Sequence, residues 1–290
     1  MKKKSNILRS VVAIVISLFH LIPFYILITT ALKPMTDLSS RWIFPKEIHL
    51  ENFTYALEKG GLITAMYNSI IITVISVLII ALIGATTAYP LARIKTKTNS
   101  VVLNLVVAVM MIPPLSMLVP LYSLLTKIGA INTYWGIIVI TVTMGLPLSI
   151  FLYSNFISTI PVDLEEAASI DGCSRFKAFY KVVLPLLKPV TATVVILTGV
   201  NVWNDFQFPL YILQVPEMKT LTLAVSSFFS QNSSNLNAAA ASALIAIIPV
   251  VIIYLLLQKQ FVQGMVAVSY THLTLPTTYW PCRSRWSPYH

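Results

Sequence analysis

The sequence predicts an all-α polytopic membrane protein with six transmembrane helices, on three observations. Of 290 residues, 57% are hydrophobic and 10% charged, against about 45–50% and about 25% in soluble domains. The mean hydropathy is +0.80, and a soluble fold of this length could not supply enough polar surface to dissolve such a chain. Six stretches each offer the roughly 20 apolar residues a helix needs to cross the hydrocarbon core: 11–32, 69–88, 101–121, 135–156, 190–210 and 238–257. Runs such as Ile70-Ile71-Ile72-Thr73-Val74-Ile75 are continuous, whereas a transmembrane β-barrel alternates over segments of about 10 residues.

The first span follows Lys2, Lys3 and Lys4. Its apolar run of 22 residues exceeds the roughly 7–15 of a cleavable signal, so a retained anchor is expected behind a cytoplasmic N-terminus, 1–10. The 33–68 segment, with Trp42, Phe44, Pro45, Phe53 and Tyr55, reads equally as a cover over a pathway mouth and as a solvated loop with interfacial aromatics. Residues 69–258 form the core, followed by a cytoplasmic end, 259–268. Pro23, Pro113, Pro114, Pro147 and Pro249 fall within spans and bend them. They are ordinary membrane prolines or bends around a pathway, at even weight.

Orientation follows from counting Lys and Arg in alternate connections. Twelve lie in the N-terminus, 90–100, 158–189 and 258–268; six lie on the opposite side. Both termini are therefore expected in the cytoplasm. The net charge of +10 expresses this bias and does not indicate a nucleic-acid partner. Two cysteines and four scattered histidines give no metal site. Without GxxxxGK[ST], the chain has no such route to ATP, and no catalytic cluster is present.

The most informative stretch is the polar connection 158–189. Pro161 suits a helix start, and Asp163, Glu165 and Glu166 complement the positive N-terminal end of the helix. Gly172 is placed to end that helix. Ser174 can cap a second, amphipathic helix over 175–184, with Phe176, Phe179, Tyr180 and Val183 on one face, stopped by Pro185 and Pro189. Ala167 and Ala168 permit close approach by a partner surface, and Glu166 offers it a charge.

Glu166-Ala167-Ala168, Gly172 after three intervening residues, and Leu184-Pro185 resemble the EAA loop of ATP-binding-cassette (ABC) importer permeases. Asp171-Gly172, Leu184-Pro185-Leu186-Leu187, Pro189 and Trp203-Asn204-Asp205-Phe206 are similar to the carbohydrate-uptake, maltose-permease-like branch. The resemblance covers about 7–267; Cys173 departs from it, standing where the branch carries a small residue such as alanine. It implies the type I importer permease fold in a bacterial inner or plasma membrane. Its implied partners are a second permease subunit, ABC ATPase subunits and an extracytoplasmic solute-binding protein, with the lipid bilayer around them. ATP and magnesium then belong to the ATPase, and this chain binds no cofactor. Glu166, Ala167, Ala168, Gly172, Leu184 and Pro185 are implied coupling residues. An importer for glycerol phosphate or a polyamine stands as an alternative, and an ion-coupled secondary transporter as a weaker one.

Asp205 is the only acidic residue inside a predicted span, where a carboxylate costs about 2.5–3.5 kcal/mol on insertion scales. Trp203, Asn204, Asp205 and Gln207 are candidate sugar contacts, the indole stacking on a sugar face. A structural role for Asp205, bonding backbone or neighbouring helices, carries twice the weight. Asn68 and Asn201 are weaker pathway candidates. The last stretch, 269–290, contains three prolines and no apolar period. It resembles translated adapter or out-of-frame sequence, and is expected to be disordered with its Cys282, His272 and His290 forming no metal site.

Overall fold

The computed structural model describes residues 2–231 and 235–273, and every regular element among them is helical. The chain begins with α1 (Lys2–Ala31), the short α2 (Glu51–Glu58) and α3 (Leu62–Arg93). Then come α4 (Lys97–Val109), a 3-10 turn (Pro114–Met117), α5 (Leu118–Lys127) and α6 (Tyr134–Thr159). A compact insertion follows: α7 (Asp163–Ile170), α8 (Arg175–Ala178), a π-helical turn (Phe179–Val183) and α9 (Leu184–Leu186). The order closes with α10 (Lys188–Trp203), α11 (Gln207–Ile212), a second 3-10 turn (Pro216–Met218), α12 (Leu221–Gln231) and α13 (Leu236–Leu273).

Four helices, α1, α3, α6 and α13, are long and apolar enough to cross a membrane; the number is six if each of two bent pairs is one span. The predicted third span is the first such pair. Instead of one helix over 101–121, α4 and the segment Pro114–Lys127 meet at 96°. Adjacent Pro113 and Pro114 supply no amide donors and disfavour helix in the residue before them, so α4 stops short of them. The predicted fifth span is also shorter. Its helix ends at Trp203, and Arg175–Leu186 joins Lys188–Trp203 at 72°.

Between helices in lipid, small residues and hydrogen bonds hold the packing that apolar burial drives in water. α3 and α6 pack most extensively. A Cβ on Gly84 of α3 would collide with Ser149 of α6, so only glycine allows this approach. Ser149 Oγ uses the closeness to donate to Ile80 O at 3.2 Å. The main buried cluster unites α3, α5, α6, the π-turn, α10 and α11. A second joins α2, α3, α10, α12 and α13, while Ala31, Ala240 and Ala241 seat α1 on α13. Large apolar side chains such as Phe19, Leu82 and Leu105 remain exposed, the outer surface of helices that face hydrocarbon.

The 33–68 segment is tied down at its start. Lys33 Nζ, buried, bonds Ser39 Oγ at 2.6 Å and Ser40 O at 2.9 Å, with Asp37 at 3.6 Å. Asn52 and Asn237 both donate to Lys33 O. Trp42 and Phe44, further along, stay exposed. At the opposite end of the sequence, α13 continues to Leu273, past the expected span end at 257 and over the first five residues of the expected irregular tail, 269–290. Ser269 to Leu273 hold neither glycine nor proline to break it. The rest of the expected irregular tail, 274–290, lies outside the described residues.

Candidate functional site

The insertion between α6 and α10 folds much as its local chemistry dictates. α7 starts at Asp163, two residues after Pro161, with three carboxylates in its first turn. At its other end Gly172 adopts φ +79°, a conformation that costs other residues about 1–2 kcal/mol. Gly172 N donates to Ser169 O at 3.0 Å and Cys173 N to Ala168 O at 2.9 Å, the paired bonds of a Schellman cap. Ser174 Oγ then accepts from Lys177 N at 3.4 Å and starts α8.

Pro185 does not stop this second helix, contrary to expectation. The turn Phe179–Val183 widens to π geometry, and Leu184 N bonds Phe179 O, five residues back. That register shift makes room for the proline ring, and helical backbone continues to Leu186. Pro189 likewise sits in the first turn of α10 and does not end a helix. The expected apolar face also divides: Phe179 and Val183 are buried in the main cluster, whereas Phe176 and Tyr180 are exposed, ring to ring at 4.7 Å.

Of the six implied coupling residues, Glu166, Ala167, Gly172 and Pro185 are exposed, and Ala168 and Leu184 are half-buried. Exposed Ile170 and Phe176 lie close to them in sequence. The insertion thus presents a charge, a small-residue surface and two large apolar side chains.

A feature without local sequence signal fixes the other side of α7. Arg93, the last residue of α3, donates from Nε to Glu165 Oε1 at 2.7 Å and from Nη2 to Ile160 O at 3.0 Å. One turn earlier on α3, Tyr89 OH donates to Glu165 Oε2 at 2.6 Å. The Tyr89 ring lies 4.8 Å from that of Phe179. Arg93 and Glu165 are 11% and 13% exposed, so water screens this pair less than a surface one. In the sequence Arg93 bears only on orientation, and Glu165 only on the helix dipole. An arginine five residues past a predicted span, with an acidic helix start in the next connection on the same side, is the available signal.

The Trp203–Gln207 group is not one surface. Trp203 is 6% exposed in the second cluster and its indole N–H donates to Ala246 O at 3.3 Å. Its ring is packed against protein, not open for stacking on a sugar. Asp205 lies in the break after α10, where Oδ1 accepts from Gln207 N at 3.0 Å and Phe208 N at 3.4 Å, capping α11. Asn204 and Gln207 are exposed. Asn68 is buried with its amide fully engaged: it donates to Glu217 O and Lys219 O and accepts from Tyr134 OH at 2.6 Å. Asn201 is exposed. Among the described residues, no three His, Cys, Asp or Glu are grouped to hold a metal.

Comparison with known proteins gives this architecture a context. The family described as binding-protein-dependent transport system inner membrane component matches residues 80–267. The melibiose/raffinose/stachyose import permease protein MelC of Bacillus subtilis (strain 168) is 45% identical over 265 residues, 91% of this chain and 96% of that protein. The probable starch degradation products transport system permease protein AmyC of Thermoanaerobacterium thermosulfurigenes is 36% identical, covering 90% of this chain and 95% of its own. In the crystal structure of a bacterial ABC transporter involved in the import of the acidic polysaccharide alginate, one chain superposes with a TM-score of 0.76. That likeness covers 88% of this chain and 96% of that one at 22% identity, and it concerns the fold. Since the family match spans the insertion and both of its flanking helices, the chain belongs to the binding-protein-dependent transport system inner membrane components.

Proposed function

We propose that this chain is a permease subunit of an ABC importer for a sugar or oligosaccharide. With a second permease it lines the transmembrane pathway in six spans, each bent pair counting as one, with both termini in the cytoplasm. ABC ATPase subunits bind the ATP and magnesium, and an extracytoplasmic solute-binding protein delivers the solute. The chain has no chemical step of its own.

The observation that carries this reading is the two-sided build of α7. Its outer side offers Glu166 and Ala167 to a partner, while its inner side is held to α3 through Glu165. A small-residue surface lets a partner's backbone come close, and the Glu166 carboxylate orients the contact. ATP-driven closure of the ATPase pair then displaces α7, with Gly172 setting its angle to α8 and Leu184-Pro185 leading into α10. Relatives named for melibiose, raffinose and stachyose import and for starch degradation products support the sugar assignment. The test is ATP-dependent uptake by the reconstituted transporter of melibiose, raffinose, stachyose and maltooligosaccharides beside glycerol phosphate and spermidine. Uptake of a saccharide alone is expected. Uptake of only glycerol phosphate or the polyamine would replace the sugar assignment.

A further inference from the structure

α7 is joined to the rest of the chain by two turns. Ile160, Pro161 and Val162 link it to α6, and the left-handed Gly172 links it to α8. A helix of eight residues hung between two turns could rotate about them and absorb a push. The geometry points to a device that prevents this: Arg93, Tyr89 and Glu165 form a rigid joint through which movement of α7 is delivered to α3. Here the three act as positioning residues for transport, and the inference rests on the importer reading above.

The joint grips on both sides of the first turn. Arg93 bonds Ile160 O before it and Glu165 after it, while Tyr89 holds the second oxygen of the same carboxylate. A planar guanidinium engaged at two of its nitrogens fixes direction as well as distance. The Tyr89 ring also contacts buried Phe179 of the π-turn. The end of α3 is thus connected to both halves of the insertion, although only α6 and α10 are continuous with it in the chain.

α3 is suited to carry the movement onward. Its 32 residues extend roughly 48 Å at about 1.5 Å per residue. Gly84 and Ser149 press it against α6 midway. Near its far end Asn68 holds the backbone at Glu217 and Lys219, in the connection between α11 and α12. A displacement entering at Glu165 therefore has a bonded route along α3 to the opposite side of the molecule.

The test uses the complete transporter in vesicles, with Glu165→Gln, Arg93→Gln, Tyr89→Phe and the charge exchange Arg93→Glu/Glu165→Arg. Assembly, basal ATP hydrolysis, and solute taken up per ATP are measured for each. Glu165→Gln and Arg93→Gln should assemble and retain basal hydrolysis, with uptake per ATP falling about tenfold, within the usual range of coupling between sites. The exchange should recover much of that loss. Tyr89→Phe keeps the ring on Phe179 and folds independently of the charge pair; it should lose about threefold, as for one hydrogen bond. If assembled Glu165→Gln and Tyr89→Phe transporters move solute per ATP within about twofold of wild type, well under that coupling range, the joint has no such role. Reduced assembly with unchanged uptake per ATP in the assembled fraction would overturn it equally. Absence of ATP-dependent uptake in the wild type would instead remove the importer reading beneath it.

Discussion

Ser149 of α6 meets α3 at the point where Gly84 has no side chain, and donates a hydrogen bond to the Ile80 carbonyl at 3.2 Å. The glycine makes the approach possible and the serine ties it. Gly84→Ala should separate the helices or displace Ser149, at a cost of about 1–3 kcal/mol as for other overpacked sites. Thermal unfolding of the detergent-solubilised complex checks this. An unchanged midpoint would show that α3 and α6 are not held this closely.

Gly172 and Glu166 separate two ways of losing coupling. At φ +79° position 172 cannot accept proline, whose ring holds φ near −65°, so Gly172→Pro should destroy the turn between α7 and α8. Glu166→Lys leaves the backbone intact and reverses the exposed charge. Both variants are expected to insert and to lose solute-stimulated ATP hydrolysis. Normal stimulation in both would remove the coupling role proposed for the insertion.

Trp203 and its neighbours should divide by kind of effect. Trp203→Ala empties a buried site and should cost about 3–5 kcal/mol of stability. Asp205→Ala removes the side-chain cap of α11, worth about 1 kcal/mol. Asn204→Ala and Gln207→Ala, at exposed positions, should leave stability unchanged and weaken apparent solute affinity if they line the pathway. Melting temperatures together with uptake KM values distinguish these outcomes. An affinity defect confined to a fully stable Trp203→Ala would contradict the packing of the indole.

Truncation after Ala267, where the family match ends, should preserve assembly and uptake. Loss of either would assign the remaining residues a role.

The parts legible in the sequence were those governed by neighbours along the chain. Apolar length located α3 and α6, although both extend beyond 69–88 and 135–156 into less apolar ends, because a backbone helix does not stop where the hydropathy falls. The Gly172 cap and the Ser174 start followed from local preferences. A bend at Pro113-Pro114 is legible as prolines within a span, but its 96° sharpness is not. Nothing nearby announced that a π-turn would carry the helix through Pro185. The Arg93–Glu165 pair is separated by 72 positions, and its partners meet only once α3 and α6 have packed. Trp203 is a related case: a tryptophan beside polar residues looks available until the helices that bury it are in place.

The most direct test of the whole account is solute accumulation in vesicles holding this chain with the proposed partner permease and ATPase subunits, binding protein being supplied on the extracytoplasmic side from which solute is taken up. Accumulation is compared between active ATPase and a hydrolysis-dead variant, with and without an imposed ion gradient. The account predicts uptake that requires hydrolysis and ignores the gradient. Uptake that persists with the dead ATPase, or follows the gradient, would contradict it.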